Sequence, residues 1–116
     1  MKEYLMLIRQ NQDNSVKMTP EQMQEDIAKH VNWVRELVQN GNFKGGNPLM
    51  PMGKQLKGNS KIVTDGPYIE SKECVSGYYF LLAPSLEEAT EIAKGCPTLS
   101  IGGTVELREI ILIEKM

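Results

Sequence analysis

The chain lacks most of the residues and runs that announce a specialised chemistry. Its 116 residues include one histidine, one tryptophan and two cysteines. Cys74 and Cys96 form no CxxC pair and stand in no Cys/His ligand spacing, so they point away from a metal module or a disulfide framework and toward reduced thiols in the cytoplasm. The apolar runs, Ile110 to Ile113 and Tyr78 to Ala83 among them, are far short of the roughly 20 residues a membrane span needs. No secretory hydrophobic region follows Met1-Lys2-Glu3-Tyr4, which runs straight into a strand pattern. An excess of positive charge is missing too: 13 basic residues against 15 acidic give a net charge of -2. Without a Lys/Arg run there is no footprint for a phosphate backbone, and no nucleic-acid partner is expected. GxGxxG, Walker, HExxH and GxSxG motifs are all absent from the sequence. That disfavours nucleotide cofactors, zinc hydrolysis and serine-hydrolase chemistry, and no cofactor or metal is expected.

What remains is an ordinary globular composition, 41% hydrophobic and 24% charged, in a chain of single-domain length, so residues 1–116 are read as one domain. Lys2 to Arg9 is a strand with Tyr4, Met6 and Ile8 on one side and Leu5 and Leu7 on the other, so both faces need cover. Thr19-Pro20-Glu21-Gln22 reads as a capped helix start, with the helix running to Gln39 or Asn40 and stopping at Gly41. Its apolar stripe, Met23, Ile27, Val31, Val34, Leu37 and Val38, predicts one buried face with His30 near its centre. Phe43 to Gly58 reads as a short strand and then an irregular connection. Lys61 to Thr64 is a short strand followed by a turn at Asp65-Gly66-Pro67. Gly77 to Ala83, apolar on both faces, predicts a central strand. Ser85-Leu86-Glu87-Glu88 opens a second helix whose inner face is Leu86, Ala89, Ile92 and Ala93, ending at Gly95 with Pro97 beyond. Thr104 to Glu114 closes the chain as a long strand. Two strand-then-capped-helix halves suggest a ferredoxin-like arrangement.

A few residues carry chemistry. His30, the only histidine, projects from the sheet-facing stripe, where an imidazole serves either as acid or base near neutral pH or as a core residue bonded to backbone. Its burial calls for a hydrogen-bond partner, and Asp65, from the turn after the third strand, is the first candidate, with Glu73 second. Asp before Gly-Pro is equally good turn chemistry. Glu70, Lys72 and Glu73 either line a polar pocket or form a solvated face. Cys96, near a helix C-terminus, lacks the surroundings that activate a thiolate. Met50 and Met52 suit the filling of an irregular surface better than a metal site.

Asp65-Gly66-Pro67-Tyr68, followed by Glu70-Ser71-Lys72-Glu73 and Gly77-Tyr78-Tyr79, resembles the D-G-P-[FY]-x-E-[ST]-K-E motif of the YCII-related, DGPF-type family. Gly46-Asn47-Pro48-Leu49, Gly95-Cys96-Pro97 and Gly102-Gly103-Thr104-Val105-Glu106-Leu107-Arg108 extend the resemblance over nearly the whole chain. It implies an α+β fold: a ferredoxin-like βαββαβ protomer with an antiparallel sheet, pairing with itself as a dimeric α+β barrel. His30, Trp33, Val34, Leu37 and Gly41 match the pattern H-x-x-[YW]-[LV]-x-x-L-x-x-x-G of the broader YCII family. That family usually pairs the histidine with an aspartate before a proline near the end of the second helix, where this chain has Cys96. The function implied is small-molecule binding in a pocket between sheet and first helix. His30 and Asp65 are its candidate acid–base residues, and Trp33, Tyr68, Glu70, Lys72 and Glu73 its candidate ligand contacts. The competing expectation is a non-catalytic dimeric interaction or regulatory module.

Overall fold

The computed structural model describes residues 1–11, 19–50, 52–66 and 73–113. Strands β1 (Lys2–Asn11), β2 (Phe43–Pro48), β5 (Glu73–Ala83) and β6 (Thr104–Glu109) form one antiparallel sheet in the order β2-β5-β1-β6. Helices α1 (Pro20–Gln39) and α2 (Leu86–Ala93) pack on one face. Strands β3 (Gly53–Lys57) and β4 (Ile62–Gly66) form a separate hairpin. Without that hairpin the order is βαββαβ, so the chain has the ferredoxin-like α+β fold that the two strand–helix halves predict.

The two apolar strands, β1 and β5, are the central pair, Met6 lying opposite Tyr79 and Tyr4 opposite Leu81. Alternation sends Tyr4, Met6, Ile8, Leu81 and Ala83 to the helix side, where all are buried. It sends Leu5, Leu7, Tyr78, Phe80 and Leu82 to the other side, where they lie half-buried with no helix over them among the described residues. One close approach fastens β2 to β5. A Cβ on Gly46 would fall 2.2 Å from the Tyr79 ring and 2.5 Å from the Tyr78 carbonyl, so only glycine lets these strands meet.

Helix α1 begins as expected, with a reciprocal box between Thr19 and Gln22 and Pro20 in the first turn. Its roll about its own axis differs from the expected stripe. Trp33 and Leu37 are buried and Val34 packs against the core, whereas Met23, Ile27, Val31 and Val38 are exposed. The cause is Trp33: the bulkiest side chain lies at one edge of the stripe, and burying it against Tyr79, ring centroids 5.7 Å apart, turns the opposite edge outward.

Helix α2 starts with Ser85 accepting from the Glu88 amide. Ala89 and Ala93 are buried and Ile92 packs against them, but Leu86, in the first turn, is exposed. The irregular connection expected before Gly58 contains β3, whose partner β4 includes Asp65 and Gly66, so the turn expected at Asp65-Gly66 is strand, with Asp65 opposite Lys54. Pro67 lies outside the described residues. Gly58 and Lys61, both at positive φ, make the turn of this hairpin instead. The final strand is shorter than expected. Tyr4 pairs with Glu109, Ile110 donates its amide to the Glu3 carbonyl, and β1 begins at Lys2, so the apolar residues that follow have almost no strand left to pair with.

Candidate functional site

A cleft of about 520 Å³ opens between α1 and the sheet. From α1 come Met23, Asp26, Ile27, His30 and Val31; the floor is Ile8, Gly77 and Tyr79; Asn47, Pro48 and Ser76 form the far wall. The outward edge of α1 is thus one lip of the cleft, where Met23, Ile27 and Val31 present apolar surface. A register shift in β1–β5 pairing at Ile8/Arg9 leaves Ser76 between the paired residues Val75 and Gly77, and its hydroxyl lies 3.4 Å from the Ile8 carbonyl.

His30 stands in the cleft wall with its side chain 19% exposed. Nδ1 lies 2.9 Å from the Asp26 carbonyl oxygen, one helical turn back, and Nε2 lies 3.0 Å from Thr98 Oγ1. The Asp26 carboxylate is a looser neighbour at 3.6 Å from Nδ1. Contact with the buried Cys96 side chain raises the His30 pKa above its ordinary value most strongly; the Asp26 carbonyl and charge add to this, and burial opposes it. Burial pushes the Tyr79 hydroxyl up as well, and the neighbouring Cys96 and Asp26 side chains reinforce it, so Tyr79 stays protonated. Beyond Asp26 no charged side chain lines the cleft among the described residues.

The position before Pro97 does reach His30, although it holds a thiol instead of a carboxylate. Trp33 lies in the core against Tyr79 and is not among the described residues that line the cleft. The Asp65 backbone belongs to the β3–β4 hairpin; its side chain, and that of Glu73, lie outside what is described, as do Tyr68, Glu70 and Lys72 altogether. Sequence reasoning missed Asp26 and Thr98 as partners of His30. Asp26 carried a signal, since residue i−4 of a helix always offers its carbonyl side to residue i; Thr98 had none, because its approach depends on how the turn after α2 packs.

Among the described residues, no three His, Cys, Asp or Glu side chains gather as a metal site, and no helix is long and apolar enough to cross a membrane. The arrangement is that of a small α+β protein with a mainly apolar cleft and one hydrogen-bonded imidazole in its wall. The chain belongs to the YCII-related domain family, whose pattern matches residues 2–114. It is also similar in fold to a solved 5-chloro-2-hydroxyhydroquinone dehydrochlorinase from Burkholderia phenoliruptrix, in complex with 2,5-dihydroxybenzoquinone. The TM-score is 0.55 at 14% identity, over 97% of each chain. No curated protein sequence gives a significant match.

Proposed function

We propose that the protein binds a small, largely apolar molecule in the cleft between α1 and the sheet, and that His30 exchanges a proton with it. The observation that carries this reading is the placement of the only histidine in the wall of a 520 Å³ cleft. Pockets for small ligands are mostly apolar, with a few polar groups that orient the ligand. His30, Asn47, Ser76 and the protonated Tyr79 are such groups here. A cleft whose only charged lining residue among those described is acidic favours a neutral ligand with hydroxyl or carbonyl groups over a carboxylate or phosphate. A dehydrochlorinase with a dihydroxyquinone bound, on the same fold, supports a ligand of this kind by analogy alone.

The active form in this reading is a homodimer in the cytoplasm. Leu5, Leu7, Tyr78, Phe80 and Leu82 make an apolar sheet face with no helix over it among the described residues, rimmed by the Arg9–Glu106 and Lys44–Glu3 ion pairs, and a second copy would bury it. The alternative, a non-catalytic interaction module, draws on the exposed Leu56, Ile62 and Val63 of the hairpin.

Titration with 2,5-dihydroxybenzoquinone and hydroquinone, followed through the ring resonances of the single histidine and by sedimentation, tests the proposal. Saturable shifts of the His30 signals in a dimer are expected, with the binding heat measured by calorimetry lost in His30→Leu while that variant stays folded. No binding of either compound overturns the binding reading in favour of the interaction module, and equal calorimetric binding by His30→Leu overturns the role given to His30.

A further inference from the structure

Three contacts fix Thr98 at the edge of His30. Its Oγ1 lies 3.0 Å from Nε2. Its γ-methyl occupies the space a side chain at position 103 would need, since a Cβ on Gly103 would fall 2.2 Å from Thr98 Cγ2. Its carbonyl accepts from the Gly103 amide at 3.0 Å. Thr98 is wholly buried at the inner end of the cleft. A β-branched side chain is stiff at χ1, so seating the methyl against Gly103 also aims the hydroxyl.

The opposite edge of the ring decides where the proton sits. A carbonyl oxygen only accepts, so Nδ1, 2.9 Å from the Asp26 oxygen, carries hydrogen in the neutral ring and in the charged one. Nε2 is therefore the atom that gains and loses a proton. A hydroxyl serves it in both states, donating to the bare nitrogen and accepting from the protonated one. We propose that Thr98 is the positioning residue of this site: it aims the imidazole and lets His30 titrate at Nε2 while staying hydrogen-bonded, with no heavy atom moving. Cys96, in the place where the family pattern puts an aspartate, cannot supply that orientation as firmly, because a thiol is a weak donor and a weak acceptor. The titratable groups that face the ring among the described residues are Asp26 from α1, Cys96 from the segment after α2, and Tyr79 from β5.

The inference rests on His30 being the acid–base group of the cleft, but its test needs no ligand. Long-range proton–nitrogen correlation spectra of the ring, recorded across pH, report tautomer and titration midpoint without ambiguity because the chain has one histidine. At high pH the wild-type ring is expected as the Nδ1–H tautomer. Thr98→Val should lower the midpoint by about one pH unit, since a hydrogen bond to a charged group is roughly twice as strong as one to a neutral group. Thr98→Ser should restore it. Gly103→Ala, which pushes the threonine methyl away, should shift it in the same direction as Thr98→Val. Repeating Thr98→Val in a Cys96→Ala background should preserve the shift, separating the hydroxyl from the thiol; Thr98→Ala replaces Thr98→Val if the valine variant does not fold. An Nε2–H wild-type ring overturns the proposal. So does a midpoint that stays put in both hydroxyl-free variants while thermal stability falls, which is the signature of a purely structural threonine. If the spectra behave as expected but no quinone binds, the proposed function fails and the role of Thr98 stands.

Discussion

Tyr4 offers a test of the packing argument in a single atom. It sits on the central strand β1 opposite Leu81, fully buried on the helix side of the sheet, and its hydroxyl has no hydrogen-bond partner among the described residues. A buried hydroxyl left unpaired costs about 1–3 kcal/mol in lost hydration. Tyr4→Phe deletes that oxygen and keeps the ring, so the packing against the core is retained and the penalty is removed. The variant is expected to be more stable by about 1 kcal/mol, the low end of that range, because the vacated space also forfeits some dispersion contact. With an unfolding entropy of about 2.1 cal/mol/K per residue, a chain of 116 residues gains roughly 4 °C in Tm for each kcal/mol. Urea denaturation with an unchanged slope, read beside the thermal midpoint, measures it. Pairing of two protomers through the opposite sheet face would give the hydroxyl no partner, so the expectation holds for monomer and dimer alike. A loss of 1 kcal/mol or more would refute the reasoning, since it would mean that the hydroxyl is bonded in solution.

Two further predictions concern His30. Cys96→Asp places a carboxylate beside the ring and should raise its titration midpoint by about one unit or more, while destabilising the protein above that midpoint, where a buried carboxylate faces a neutral imidazole; a midpoint that is unchanged or lower in the nuclear magnetic resonance titration would count against the Cys96–His30 contact. The second follows from linkage: with a folded pKa above the ordinary value of 6.5, His30 takes up protons on folding, so its contribution to stability is complete below pH 6.5 and is lost as pH rises through the folded pKa. Wild type should therefore lose its advantage over His30→Gln as pH is raised over this range, and a stability difference in urea that stays flat or widens would contradict the assigned shift.

Much of this site was readable before any fold was known, and the parts that were not share a cause. The cap of α1 at Thr19, its stop at Gly41, the central place of Gly77 to Ala83 and the inward projection of His30 all follow from rules spanning a few residues, where the physics is local backbone bonding and the alternation of side chains. The same rules gave the wrong edge of α1. Periodicity locates an apolar stripe but not its roll, and the burial of Trp33 against Tyr79 turned Met23, Ile27 and Val31 out to form the lip of the cleft. The strand β3 was hidden because Gly, Lys and Gln carry weak strand preference, and pairing with β4 overrode it. The end of β6 was set by where β1 begins, a fact about another strand.

Local patterns were enough to point His30 at the sheet, to put a thiol before Pro97, and to call for a ferredoxin-like α+β unit. What holds the imidazole follows from packing alone. Thr98 lies 68 residues from His30 in the chain, and it reaches Nε2 because Gly103 leaves room for its methyl and the turn after α2 folds back under α1. No local preference encodes that meeting. It is fixed by the mutual packing of segments that are distant in sequence, and a one-dimensional pattern carries no measure of that distance.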